Sequence, residues 1–326
     1  MSAGTPISQV KLGRTKLQIT NICFGTSGLG DMPDTYGYKV DESRAVATVK
    51  AVLAGPANFI DTSRNYGDGR SEERIGKAIA ELGGLPSGFV VSTKLDRDFD
   101  TGRFDAARAR RSLEESLKAL GLSRVHLLHL HDPEHSASLE EISRPGGAIA
   151  ELFKMKAEGL ADAVGLAAGK VAIMMPLLRD WDFDALITHN RFTLLNRNAE
   201  TMIDLAVAKG MAVLNAAPYA GGVLAKGAQS FKRYVYQEAS DEVLAPVRRI
   251  ETICARHGIP PGAAALQFSL RDTRITSTIC GVTKPERVKE TLDWAAWPIP
   301  DAAWNELLSV PVSTDDPEAS RDYKPG

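Results

Sequence analysis

The stretch "NFIDTSRNYGDGRSEERIG", Asn58–Gly76, carries three kinds of local signal in one direction along the chain. Phe59 and Ile60 end an apolar run, and an aspartate follows them directly. A polar, glycine-bearing loop with Tyr66 comes next, and then "SEERIGKAIAEL", whose Ile75, Ala78, Ile79 and Leu82 recur at helical spacing. Ser71 is expected to cap that helix, with Glu72 and Glu73 at its positive end and Gly83 stopping it. Strand, loop and helix in that order make one β/α unit. A charge that closes a buried run suggests that this end of the strand has a task.

The unit recurs. Short apolar runs rich in β-branched residues fall at 22–27, 58–63, 90–94, 124–131, 162–168, 185–190, 211–217 and 275–282. Helical stretches lie between them, among them "DAARARRSLEESLKAL", opened by Asp105, "GGAIAELFKMKAEG", "NAETMIDLAVAKG" and "DEVLAPVRRIETICARHG", each closed by a glycine. Eight such units predict an α/β fold of the (β/α)8 TIM-barrel type in place of an open doubly wound sheet. The expected organisation is a single domain over 1–326: a hairpin at 9–20 turning near Gly13 and Arg14 and plugging the barrel floor, the barrel at 22–294, and an extra helix with a polar tail at 301–326.

Composition removes several function classes. The 326 residues carry 39 Lys and Arg against 41 Asp and Glu, a net charge of -2, and no basic stripe that would follow a phosphate backbone, so nucleic acid is not an expected partner. Cys23, Cys254 and Cys280 lack Cys-x-x-Cys spacing and suggest neither a disulfide framework nor a zinc knuckle. No apolar run approaches the roughly 20 residues of a membrane span, and the first residues lack a signal-peptide pattern. The expected setting is a reducing cytoplasm, without membrane attachment.

In a barrel of this type the site lies at the C-terminal ends of the strands. Asp61 ends the second barrel strand, Lys94 the third, His131 the fourth and Asn190 the sixth, and Tyr66 follows Asp61 on its loop. A phenol titrates near ~10 and needs a nearby cation to exchange protons near neutral pH. Lys94 is expected to be that cation and to lower the Tyr66 pKa, with Asp61 orienting it and His131 bonding the oxygen of a carbonyl or alcohol. Such a set moves a proton without a nucleophile, which suits hydride transfer with a cofactor. His129, His131 and His189 also raise a metal-dependent hydrolase, but that reading leaves Lys94 and Tyr66 idle. No metal is expected, and His129 and His189 are read as satisfied core or rim residues.

Together, "FIDTSRNYGDGRSEERIG", the lysine of "VVSTKL", "HLHDP" and "ICGVTKPERVKET" resemble the aldo-keto reductase superfamily over nearly the whole chain. The resemblance implies a nicotinamide-dependent oxidoreductase with the tetrad Asp61, Tyr66, Lys94 and His131. It further implies that Asn190 holds the nicotinamide carboxamide and that Arg287 and Glu290 meet the adenosine end. "FGTSGLGDMPDTYGY" and the "HDP" variant look most like the branch with aldose 1-dehydrogenases and pyridoxal 4-dehydrogenases.

There are departures as well. Ala167 and Ala168 stand where the family commonly has Ser-Asn for the carboxamide, and Ala216 stands where an aromatic often stacks on the nicotinamide; Tyr219 is read either as its substitute or as loop packing. Ile279, Cys280, Gly281 and Val282 align with a stretch whose lysine and serine hold a 2′-phosphate in NADPH-preferring relatives. NAD is therefore expected to serve at least as well as NADP, which Arg287 and Lys284 keep possible. Asp31, Asp34, Tyr36 and Tyr38 in the first loop, with Arg64 beside Tyr66, are either substrate contacts for a small polyhydroxylated ring or a solvated polar loop. The expected reaction is oxidation of an aldose or pyridoxal hemiacetal to its lactone; a general NADPH-dependent aldehyde reductase and a non-catalytic cofactor-binding subunit are the alternatives.

Overall fold

A computed structural model describes residues 7–167 and 169–321. The expected barrel is present. Two short strands, β1 (Gln9–Lys11) and β2 (Gln18–Thr20), precede eight parallel strands that close on one another. These are β3 (Ile22–Gly25), β4 (Phe59–Asp61), β5 (Val90–Leu95), β6 (Val125–His131), β7 (Ala161–Ala167), β8 (Ala185–His189), β9 (Ala212–Ala216) and, after a two-residue pair β10 (Arg233–Tyr234) and β11 (Gln237–Glu238), β12 (Ser277–Gly281). β12 pairs with both β3 and β9 and completes the ring. In register, Gly25 lies beside Asp61, Asp61 beside Ser92 and Lys94 beside His129, which brings the polar strand ends to one rim.

Alternation along each strand divides the apolar residues into two cores. Cys23, Phe59, Val90, Leu127, Ala163, Ala185, Ala212 and Leu214 fill the barrel interior, and Leu12 and Ile19 of the β1–β2 hairpin pack into the same cluster from below. The hairpin thus plugs the floor. Its turn needs glycine at residue 13, where φ is +51° and a Cβ would lie 2.8 Å from the Ala212 amide nitrogen. The second core lies between the strands and the surrounding helices. Among the described residues no helix is long and apolar enough to cross a membrane.

Local details differ from the sequence reading in three places, and the tail adds a contact of its own. Gly69, not Ser71, occupies the cap position of the helix Arg70–Glu81, and the Ser71 hydroxyl instead donates to the Thr26 carbonyl at 3.0 Å, tying helix to barrel. Asp105 does cap its helix, accepting from the Arg108 amide at 2.8 Å. The sixth barrel strand stops at His189, because the chain turns into a left-handed conformation at Asn190 (φ +58°). The stretch before β12 holds two helices, Asp241–Arg256 and Pro261–Leu270; the second is buried almost all round, so it has no polar face to give it a helical period. Finally, the polar tail does not hang free after the helix Asp301–Leu308. Asn196 Nδ2 donates to the Asp315 carbonyl at 2.9 Å and Asn198 Nδ2 to the Thr314 carbonyl at 2.7 Å, laying the tail across the rim.

Candidate active site

Asp61 is the last residue of β4, and Lys94 lies near the end of the neighbouring β5; both are almost fully buried. The Lys94 ammonium has three protons and finds three acceptors: Asp61 Oδ2 at 2.7 Å, the Thr62 carbonyl at 2.6 Å and the Tyr66 hydroxyl at 3.2 Å. Ser92 Oγ donates to the other Asp61 oxygen at 2.9 Å, so the carboxylate is held on both sides. One expectation fails here. Burial first, then the negative charge of Asp61 and weaker effects of Tyr36, Asp132 and Asp96, push the Tyr66 phenol well above its ordinary pKa. The ammonium that should lower it is already neutralised at close range by Asp61. Tyr66 is accordingly held as a protonated donor at neutral pH.

His131 closes β6, and its ring stands perpendicular to that of Tyr66, with ring centres 6.0 Å apart and planes at 87°. Its Nδ1 lies 2.7 Å from Asp96 Oδ1 and 3.1 Å from Ser63 Oγ, leaving Nε2 on the cavity side, with Asp132 Oδ1 at 3.6 Å. Asp96 also accepts from Ser63 Oγ at 2.6 Å and from the Asn65 amide at 3.0 Å. Burial works against both charges of the pair, yet His131 holds the Asp96 carboxyl below its usual range while Asp132 and Asp96 raise the His131 pKa. A carboxylate that accepts at Nδ1 fixes the tautomer and leaves Nε2 for a ligand oxygen.

Asp96 was missed in the sequence although a signal existed: it follows Lys94 by two, on the same inward-facing side of the chain. His129, one step down the same face, was expected to be satisfied. It is fully buried with both ring nitrogens unpartnered among the described residues, and burial, then Lys94, hold its pKa well below the ordinary value. Among the described residues no three metal-ligating side chains are grouped.

A single cavity connects the tetrad with the end of β12. Asp61, Tyr66, Lys94 and His131 line one part of it, and Gly281, Thr283, Arg287 and Lys226 another. Gly281 leaves open space where a Cβ would stand. Arg287 lies 5.0 Å over the Trp294 ring and bonds Glu290 Oε2 at 2.6 Å. Lys284 is exposed at the head of the following helix and does not line the cavity. Tyr219 touches the cavity, but its ring packs edge-on against Trp294 at 5.7 Å, which favours its packing role.

Asn190 is not among the cavity residues; His189, one residue earlier and on the inward face, takes that place. Asn190 Nδ2 instead meets Glu318 Oε1 at 3.3 Å. Ala167 carries no polar side chain, and Ala168 lies outside the described residues.

The first-loop residues also divide. Tyr36 and Tyr38 line the cavity, and the Tyr36 hydroxyl donates to Ser27 Oγ at 2.6 Å. Asp31 turns inward on its own loop to accept the Val40 amide at 3.0 Å, and Arg64 points outward to Asp68 and Glu115, each at 3.4 Å. Neither Asp31, Asp34 nor Arg64 lines the cavity. What replaces them comes from the polar tail. Glu318 meets His189 Nδ1 at 3.0 Å, Arg191 at 3.3 Å and Arg321 at 2.7 Å, and Arg321 lies 4.8 Å over the Tyr236 ring. Burial opposes ionisation of Glu318, but His189, Arg191 and Arg321 beside it hold its carboxyl well below the usual range. Glu318, Arg321 and Tyr236 all face the cavity.

The sequence profile described as "Aldo/keto reductase family" matches residues 21–310. A pyridoxal 4-dehydrogenase of Microbacterium luteolum is 28% identical, the alignment covering 91% of this chain and 96% of that one. A D-threo-aldose 1-dehydrogenase of a Pseudomonas species is 31% identical, covering 90% and 94%. An L-galactose dehydrogenase of Arabidopsis thaliana is also 31% identical, covering 88% of each. Among solved structures, the holo form of an aldo-keto reductase from Bacillus halodurans superposes with a TM-score of 0.75 at 18% identity, over 97% of this chain and 100% of that one, a likeness of fold. With its barrel, its rim and a family profile spanning most of its length, the chain belongs to the aldo/keto reductase family.

Proposed function

We propose that this oxidoreductase oxidises the anomeric hydroxyl of a small cyclic hemiacetal, an aldose or the hemiacetal of pyridoxal, to the lactone, with NAD as cofactor. The observation that carries the reading is the Tyr66 hydroxyl, 3.2 Å from an ammonium locked by Asp61, in the same cavity as His131 and continuous with the Gly281–Arg287 end. An elongated, anionic cofactor fits that shape: cationic Lys226 and Arg287 and an unobstructed glycine lie at one end, the proton-transfer groups at the other. When bound, the nicotinamide accepts or supplies the hydride.

The protein's own part is proton handling and orientation. His131 Nε2 bonds the reacting oxygen and sets its position against Tyr66, while Asp96 fixes the imidazole. In oxidation the hydroxyl proton passes to the Tyr66 oxygen as the carbon gives up its hydride, and the Lys94 N–H steadies the phenolate that receives it. In reduction the protonated phenol donates to the carbonyl oxygen. Asp61 keeps Lys94 aimed. Tyr36, Tyr236, Glu318 and Arg321 surround the cavity with hydroxyl and charged groups suited to a ring with several hydroxyls.

The relatives named above act on pyridoxal and on aldoses, which supports the same substrate class here. A screen of aldoses, pyridoxal and simple aldehydes, following reduced-cofactor absorbance in both directions, tests the reading. Lactone formation from a sugar or from pyridoxal is expected, and activity confined to unfunctionalised aldehydes contradicts it.

A further inference from the structure

One carboxylate oxygen, buried in the wall of the cavity, belongs to neither the tetrad nor the tail network. Glu134 sits in the short turn Pro133–His135 that follows β6. Its side chain reaches across to the loop after β7, where Oε1 accepts the Lys170 amide at 3.1 Å. Oε2 is buried and has no hydrogen-bond partner among the described residues, and Glu134 lines the cavity. The carboxyl lies against Gly169, where a Cβ would stand 2.8 Å from Oε2. A side chain at residue 169 would thus crowd this oxygen. Unpaired buried acceptors are rare because each loses its water without a replacement, so one beside a ligand cavity suggests that the ligand brings the donor.

The neighbouring strand end sharpens the identity of that donor. β7 ends at Ala167, which offers no polar side chain to an amide, and Asn190 is drawn off to Glu318. We propose that Glu134 Oε2 accepts the carboxamide N–H of the bound nicotinamide, supplying from the loop after β6 a contact that the end of β7 does not make. The inference rests on the cofactor reading given above. Burial, then Asp132, pushes the Glu134 carboxyl up to about 7, with Arg191 and His131 favouring its charged form, so the acceptor is best populated in mildly alkaline solution. A carboxylate in that place also favours the oxidised, positively charged nicotinamide over the reduced one.

The test is a binding measurement that needs no turnover. Wild type, Glu134→Ala and Glu134→Gln are titrated at about pH 8 with NADH and with its reduced acetylpyridine analogue, in which a methyl group replaces the amide nitrogen, following quenching of tryptophan fluorescence. Wild type should bind NADH roughly tenfold to a hundredfold more tightly than the analogue, the range of a hydrogen bond to a charged group. In Glu134→Ala that preference should collapse to about twofold or less, and Glu134→Gln, which keeps an acceptor without the charge, should fall between. If the alanine variant does not fold, the glutamine variant carries the test. An equal preference in wild type and variants overturns the proposal, and if a parallel turnover assay then shows a loss confined to the KM of the sugar or pyridoxal, Oε2 is assigned to a substrate hydroxyl. Failure of wild type to bind either dinucleotide would sink the cofactor reading itself and is distinguishable from both.

Discussion

Replacing Asp96 by asparagine changes one charge without changing shape, and its effect can be worked from the contacts around His131. Asp96 is fully buried and accepts three hydrogen bonds, from His131 Nδ1 at 2.7 Å, Ser63 Oγ at 2.6 Å and the Asn65 amide at 3.0 Å. An asparagine can satisfy His131 with its oxygen only by turning its NH2 toward the Ser63 hydroxyl and the Asn65 amide, so both lose the carboxylate as acceptor, although the Asn65 N–H keeps Ser63 Oγ at 3.1 Å. A charged hydrogen bond contributes about 1.5–3 kcal/mol, and that loss beside His131, which we propose positions the reacting oxygen, predicts a fall in kcat/KM of roughly tenfold to a hundredfold.

The pH dependence supplies a second readout. The His131 pKa is raised in the folded protein, so its contribution to stability is full below the unfolded value of about 6.5 and is lost as pH rises through the folded value. The Asp96 pKa is lowered, so its contribution is present above about 3.9 and lost as pH falls through the folded value. The two overlap between about pH 4 and 6.5, and the destabilisation of Asp96→Asn should be larger near pH 5.5 than near pH 9. Urea unfolding at both pH values, with histidine titration by NMR showing the His131 pKa moved downward, checks this. An unchanged kcat/KM, or a destabilisation independent of pH, refutes the reasoning.

The raised phenol pKa makes the two directions of the reaction respond oppositely to pH: oxidation, which needs the phenolate, should accelerate as pH rises from about 6 to 9, and reduction should not. Profiles of kcat/KM in both directions test it, and an oxidation rate flat over that range counts against proton transfer to Tyr66. Cofactor choice should favour NAD or be even, because Gly281 offers no charge, Lys284 stands off the cavity and Arg287 must give up its ion pair with Glu290 to reach a 2′-phosphate. With one good substrate, kcat/KM for NAD should equal or exceed that for NADP, and a clear NADP preference would mean that Arg287 leaves Glu290 for the 2′-phosphate.

Strand ends were the most legible part of the site. Asp61, Lys94 and His131 stand at the C-terminal ends of short β-rich runs, and a barrel has one place to put such residues. Period-two alternation carried more than was drawn from it. Ala185 and Ile187 face the barrel interior, so parity along β8 brings His189 to the cavity and takes Asn190 away, and the same parity along β5 joins Asp96 to Lys94. Loops have no such period. The direction of Arg64 is set by Asp68 and Glu115, and that of Asp31 by the Val40 amide, neither of which a strand or helix pattern announces. The tail is harder still: Glu318 reaches Arg191 and His189 across more than a hundred residues of sequence, and a polar segment that finds partners at the rim reads the same as one that stays in water.

The most direct test of the account is the tyrosine itself. Tyr66→Phe removes one oxygen, leaves Lys94 with Asp61 and the Thr62 carbonyl, and changes nothing at the Gly281–Arg287 end. Measured with a turnover substrate and by fluorescence titration of the cofactor, the variant should lose about 10² to 10⁴ in kcat while its Kd for the dinucleotide changes by no more than about threefold. A variant that keeps near wild-type kcat would contradict the assignment of Tyr66 as the proton-transfer group.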